Sequence, residues 1–345
     1  METIMIGMDL AKSVFQVHGV DGAGQVVFRR QLRRGQVERF FAKLAPAVVG
    51  MEACGSAHHW GRVVEGLGHE VRLMPAAYVK PYVKRNKTDG RDAEAICEAM
   101  QRPSMRFVSV KRPEQQAVMA VHRARALFVR QRTMLANALR AMFAEFGVVA
   151  PQGNKGLQSL IAELPAPAAV PEAGHPALRM LARQWQALDA EIKALEQQIV
   201  QGVRGDEAAR RLMAIPGVGP ITASMVLAAV PDMKQFRSGR GFTAWLGLTP
   251  RQNNSASTRR SGGISKQGQR DIRCLLILGA SSYLRHEQIR KRMKAPTDPW
   301  LTGVLARRPV KVAAVARAAK TARIIWALLA KDQHYRAPAR LQNAA

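Results

Sequence analysis

Seven apolar residues, Leu178, Leu181, Trp185, Leu188, Ile192, Leu195 and Ile199, step along the chain by three and four in unbroken alternation. Only a long α-helix puts such a series on one side, because its repeat is close to 3.6 residues while a strand repeats every two. A stripe this narrow suits one facing helix. The spacing therefore predicts a coiled coil over 177–202 that joins copies of the chain; packing inside its own domain is the other reading. Gly202 and Gly205 end the helix.

The first ninety residues carry strand patterns instead. Residues 3–9 (TIMIGMD) form a short apolar run, and 14–20 and 25–32 alternate, with Gly22 and Gly24 in the turn between the last two. Three strands with tight connections read as an antiparallel meander. Residues 35–44 follow as a helix, 47–51 (AVVGM) as a buried strand, 57–67 as a helix and 70–74 as a strand. A helix begins near Thr88, which can cap it, and runs to Met100; Pro113 opens a longer one to about Phe146. Three strands and then alternating helix and strand is the order of an α/β RNase H-like domain. The expected division is a catalytic domain over 1–110, a long helix over 111–150, a Pro/Gly/Ala-rich linker over 151–176, the coiled coil, a mostly α-helical domain over 203–331 and a tail over 332–345.

Charge narrows the function. Lys and Arg number 53 against 25 Asp and Glu, a net of +28 in 345 residues. Residues 1–202 hold 27 basic and 18 acidic side chains, residues 203–345 hold 26 and 7, so the excess is concentrated in the second part. Such a field draws phosphate backbones. No apolar run reaches the ~18 residues of a membrane span. Glu2 and Asp9 stand where a signal peptide has a basic flank and an apolar stretch. Cys54, Cys97 and Cys274 lie too far apart for a zinc pair or a disulfide framework. The expectation is a cytoplasmic, nucleoid-associated protein that binds nucleic acid and no membrane.

Four carboxylates sit where solvated charges are not usual. Asp9 ends the first apolar strand, and Glu52 follows the buried run AVVGM. At the end of a central strand a carboxylate points into the crevice where open sheets place their chemistry. Asp89 and Asp92, three apart, share one face at the start of a helix. Carboxylates that converge repel unless cations lie between them, which is how Mg²⁺ sites are built, and two such ions flank a scissile phosphate. Taken singly, each has a plainer reading: a strand-end turn for Asp9, a buried ion pair for Glu52, the helix dipole for Asp89 and Asp92.

In the basic second part, IPGVGPITA (215–223) lies between two helical stretches. Gly217 and Gly219 allow a tight turn with outward amides, a donor site for a phosphate that resembles a helix-hairpin-helix motif. An ordinary Gly-Pro turn is the alternative. Next, TPRQNNSASTRRSGGISKQG (249–268) sets serines among Arg251, Arg259, Arg260 and Lys266. Composition alone reads it as a flexible basic loop. A serine nucleophile needs a base or a metal, and this segment holds no His, Asp or Glu.

Four blocks, MEACGSAHHW, NKTDGRDAEAI, IPGVGP and GLTPRQ…SGGISKQG…DIR, occur in the order found in the DEDD-type transposases of bacterial insertion sequences. The chain resembles insertion-sequence family one hundred and ten, its eleven-eleven group, whose members are bridge-RNA-guided serine recombinases. The resemblance runs from Asp9 to Arg273. It implies a RuvC-like N-terminal domain joined through a coiled coil to a helical transposase domain, in dimers or tetramers around a structured non-coding guide RNA that pairs with donor and target DNA. It implies that Asp9, Glu52, Asp89 and Asp92 hold Mg²⁺, completed between subunits, and that Ser255, five residues after Pro250, forms a phosphoserine–DNA intermediate. Ala256 follows where the family has Gly, and Ser257 is the alternative nucleophile. Gly217, Gly219, Arg251, Arg259, Arg260, Lys266 and Arg273 are the expected nucleic-acid contacts. His58 and His59 read as packing or orienting residues. A hydrolytic RuvC-like junction nuclease, a non-catalytic binding protein and an invertase of the same fold are the competing functions.

Overall fold

The computed structural model describes residues 4–83, 89–162, 169–255, 258–295, 297–337 and 339. It divides into two compact units, Met1–Gln115 with Val230–Gln235, and Gln116–Ala229 with Phe236–Ala345.

The first unit is built on a mixed sheet. Strands β1 (Met5–Leu10), β2 (Val14–Val20) and β3 (Val26–Arg33) form the antiparallel meander; helix α1 (Val37–Phe41), strand β4 (Val48–Glu52), helix α2 (Ala57–Gly66) and strand β5 (Glu70–Met74) follow. A short α3 (Ala76–Val79) and then α4 (Asp89–Met100) complete it; Thr88, expected to cap α4, lies outside the described residues. Strand order is β3-β2-β1-β4-β5, with β4 parallel to both β1 and β5. Alternation splits the apolar side chains between two layers. Ile6, Met8, Phe15, Val17, Val49 and Met51 meet Phe41 of α1 and Trp60 and Val64 of α2. On the other face Val20, Val48 and Met74 pack against Ala95, Ile96, Ala99 and Met100 of α4. A strand covered on both faces reads as a continuous apolar run, as β1 and β4 do.

The second unit is mainly helical. Helix α5 (Pro113–Glu145) leads into it, followed by α6 (Asn154–Ala162), α7 (His175–Gly202), α8 (Glu207–Met213), α9 (Pro220–Ala229) and α10 (Gly239–Trp245). A hairpin of β6 (Pro250–Ser255) and β7 (Thr258–Ile264) precedes α11 (Arg270–Arg292), α12 (Pro299–Leu305) and α13 (Val310–Ala330).

Two expectations are corrected here. The 177–202 seam does form one helix, but a partner lies in the same chain. Leu178, Ala182 and Trp185 of α7 pack with Ala136, Leu139 and Phe143 of α5 and with Leu157 and Leu160 of α6. Arg125 donates to Glu196 at 2.6 Å, and Arg132 pairs with Asp189, seven residues further along α5 and seven earlier along α7, the mark of an antiparallel pair. The buried face runs through Asp189, a polar position that a count of apolar residues passes over. The stretch 151–176 is not a plain linker, because its leucines at i and i+3, Leu157 and Leu160, turn inward on α6 and are buried.

Candidate functional site

The carboxylates are arranged by strand register. β1 and β4 run parallel with Met8 opposite Met51, so Asp9 and Glu52 follow at the same level, at the C-terminal ends of adjacent strands. Two residues earlier on each strand stands a glycine, and both glycines face α4. A Cβ on Gly7 would lie 2.1 Å from Ala93 O and 2.6 Å from Cys97 N; one on Gly50 would lie 2.7 Å from Met100 Sδ. By alternation Asp9 and Glu52 share that face, one step further along, level with the first turn of α4, where Asp89 and Asp92 stand. The absent side chains let α4 lie directly on β1, which is what brings the helix start to the strand ends.

Asp9, Glu52 and Asp92 are all half-buried. Among the described residues no three His, Cys, Asp or Glu side chains close around one point; the Asp89 side chain lies outside the described residues. The donors present are carboxylate oxygens alone, the type a hard divalent cation takes. Cys97, beneath Gly7, is no competitor: burial pushes its thiol up to about 11, which keeps it protonated.

His58 is bonded to Lys111. Its Nδ1 accepts the Lys111 N–H at 3.2 Å and its Nε2 lies 3.1 Å from Lys111 Nζ, with Lys111 itself buried. His59 packs edge-on against Trp60, ring centroids 5.1 Å apart. Lys111 escaped the sequence reading because nothing local marks a lysine whose partner lies 53 residues away.

In the second unit the IPGVGP turn joins α8 to α9, with Val218 N–H donating to Ile215 O at 2.9 Å. Gly217 has φ +91°, and a Cβ there would sit 2.8 Å from Gly279 O of α11, so this glycine serves the turn and a close helix approach. Gly219 has open space on its Cβ side. The serine-rich segment is a β-hairpin rather than a flexible loop. Alternate residues of β6 and β7 exchange backbone bonds, and its base is tied by Ser265 N–H to Thr249 O at 2.9 Å and Arg251 to Ser265 O at 3.2 Å. Ser255 is the last residue of β6, opposite Thr258. Ser257 lies outside the described residues, as do the side chains of Ser255, Arg259 and Arg260. Lys266 is exposed.

Arg273 requires a correction. It is 7% exposed, and its Nη1 donates to Leu246 O at 2.7 Å and Gln267 O at 2.9 Å. Its guanidinium therefore clamps the two ends of the hairpin to α11 and presents no charge to a phosphate. The tightness of that joint explains two glycines: Cβ atoms on Gly247 and Gly268 would lie 2.2 Å from Gln267 O and 1.8 Å from Trp245 O.

Comparison with known proteins agrees in both units. A DEDD transposase family of the IS110 type matches residues 6–147, and the family described as Transposase IS116/IS110/IS902 matches residues 209–295. The chain is 50% identical over 341 residues to a Pseudomonas aeruginosa protein named "Probable family 20 transposase", covering 97% of this chain and 99% of that protein. It is 40% identical over 340 residues to the transposase for insertion sequence element IS1111A of Coxiella burnetii, covering 96% and 91%. It is 38% identical over 322 residues to that of IS1328 from Yersinia enterocolitica, covering 93% and 95%. No described helix is long and apolar enough to cross a membrane. The chain belongs to the IS110/IS116/IS902 family of DEDD transposases, enzymes of insertion sequences that cut and rejoin DNA.

Proposed function

We propose that this transposase is an RNA-guided serine recombinase, in which Asp9, Glu52, Asp89 and Asp92 hold Mg²⁺ and Ser255 is the nucleophile. The observation that carries the reading is that two carboxylates end adjacent parallel strands on the face of the sheet against which α4, the helix that begins with Asp89 and Asp92, packs. Mg²⁺ bound by those oxygens supplies positive charge against the reacting phosphate and lowers the cost of ionising a nearby hydroxyl. The chain's own residues do the rest. The hairpin that carries Ser255 at the end of β6 is clamped at its base by Arg273, which limits the nucleophile's wander. A new Oγ–phosphorus bond forms as the bond to the leaving deoxyribose oxygen breaks; the serine proton goes to a base and the leaving oxygen takes one up. A DNA hydroxyl then attacks the phosphoserine in the reverse sense and rejoins the strand. Sequence choice passes to the guide RNA, and the protein holds backbones through Arg251, Arg259, Arg260, Lys266 and the Gly217–Gly219 turn. Homo-oligomers bring the catalytic parts of several copies to one DNA.

The test uses purified protein, Mg²⁺, the RNA transcribed from the element's flank, and end-labelled donor DNA. The expected result is label that stays on the protein through denaturation in the wild type and is lost in Ser255→Ala and in Asp9→Asn. Loss in Ser257→Ala alone moves the nucleophile by two residues. Cleaved DNA without covalent label in any sample supports a hydrolytic nuclease and overturns the serine mechanism. Equal activity with and without the RNA overturns guidance.

A further inference from the structure

Beside the carboxylates, on the same face of the sheet, lies a cavity of about 540 Å³ with no assigned occupant. Its position follows from the register. Asp9 pairs with Gln16, and Gln16 pairs with Gln31; Gly7 pairs with His18, and His18 with Arg29. All of these therefore share the face on which α4 lies. That helix covers β1 and β2, and β3, the edge strand, keeps Arg29 and Gln31 exposed on this side. The wall opposite is the start of α4, with Gly90, Arg91 and Glu94.

The lining says what kind of ligand fits. Apart from Val17, Ala93 and Gly90, every residue that lines the cavity is polar or charged, so an apolar small molecule has little to bury there. Arginines outnumber the one carboxylate. Arg29 is held from below, its Nε donating to His18 Nδ1 at 3.3 Å, while its side chain stays 65% exposed. An oriented guanidinium presenting its remaining N–H groups to solvent is suited to a phosphate. Gln16 and Gln31 add amide groups along the floor. Gly90 has open space where a Cβ would be, so a backbone can approach the first turn of α4, whose dipole favours an anion. Among the described residues that line the cavity, Glu94 is the one acidic side chain, and its pair with Arg29, 4.0 Å long and 65% exposed on the arginine side, is too weak to neutralise the site.

We infer that this groove, from Arg29 and Gln31 on β3 past Gln16 to Arg91 on α4, holds the phosphodiester backbone of the DNA strand that is cut. It begins one strand away from Asp9 and ends at β3, two strand spacings or roughly 10 Å from that residue. A backbone in it leads straight to the carboxylates, and only the strand being cut has to be there. The inference rests on the reading of those carboxylates as the reaction centre.

The experiment titrates the full-length protein with a short fluorescein-labelled DNA single strand, and with RNA of the same sequence, across a range of KCl concentrations. Removing one phosphate-binding cation lowers the slope of log affinity against log salt by ~0.7. Arg29→Ala combined with Arg91→Ala is expected to lower the DNA slope by about 1.4, and Arg29→Lys to restore its share. Gln31→Glu, which keeps the shape and adds a negative charge, is expected to weaken DNA binding with thermal unfolding unchanged. An unchanged slope in the double variant overturns the inference, and a slope reduced with RNA alone assigns the groove to the guide instead and overturns it equally. Asp9→Asn separates the two readings. If it keeps strand exchange while the arginine variants show the reduced slope, the carboxylate reading fails and the groove stands as a backbone site. If it abolishes exchange while the arginine variants bind normally, the reverse holds.

Discussion

Gly7 shows how one missing side chain sets which face of the sheet α4 covers. Its Cβ position is filled by the backbone of α4, at Ala93 O and Cys97 N, and backbone cannot rotate away as a side chain can. Gly7→Ala is expected to push α4 off β1, separating Asp92 from Asp9, and to cost at least the ~1–3 kcal/mol of core overpacking. Denaturant unfolding and strand cleavage should fall together; full cleavage with an unchanged midpoint would show that the helix does not need this close approach. Arg273 acts at the same scale in a different way. Arg273→Ala leaves two carbonyls short of a partner, at about 1–3 kcal/mol for each buried group. From the sequence Arg273 reads as one more basic residue, because the carbonyls that hold it belong to other segments.

At the scale of elements, the α5–α7 pair carries ionisable groups that set how this unit responds to acid. His122 of α5 lies 3.0 Å from Ser224 Oγ of α9, and burial together with Arg125 lowers it to about 4 against the opposing pull of Asp271. A histidine lowered in the folded state is neutral there while the unfolded chain takes up a proton. Stability is then full above about pH 6.5 and declines as the pH falls toward about 4. Asp189 adds a later loss. Lys193 and Arg132 hold its carboxyl below the usual carboxylate range, so its contribution is present at neutral pH and disappears only in stronger acid. His122→Gln keeps a hydrogen-bonding group near Ser224 and is expected to flatten thermal stability between pH 6.5 and pH 4; a midpoint that still declines there places the acid-sensitive group elsewhere. The seam itself was legible, since it needs only the helical period. Its partner was not, because α5 is brought to it by the chain's return.

For the whole molecule, the net charge of +28 predicts steeply salt-dependent binding to duplex DNA, but which arginines contribute depends on burial. Arg259→Ala with Arg260→Ala, both on β7, is expected to lower the duplex slope by about 1.8, two phosphates at ~0.9 each, with no change in unfolding temperature. Arg273→Ala should do the opposite, lowering the unfolding temperature and leaving the slope alone. Matching effects from both variants would mean that the carbonyl bonds of Arg273 do not set its role apart. Counting basic residues treats Arg273 and Arg259 alike; the buried bonds to two carbonyls are what mark Arg273 as a clamp.

The order of strands and main helices in the first unit, the long seam and the separation of charge were determined by the sequence alone. Each follows from neighbours a few residues apart, through alternation, helical period and composition. The strand ends of Asp9 and Glu52 were visible for the same reason. What only the tertiary structure decided is which faces meet: α4 against Gly7 and Gly50, α5 against the seam, Arg273 against two carbonyls, and the groove left beside the edge strand. Those outcomes depend on close packing and on hydrogen bonds between distant segments, and neither leaves a repeat in the chain for a local reading to detect.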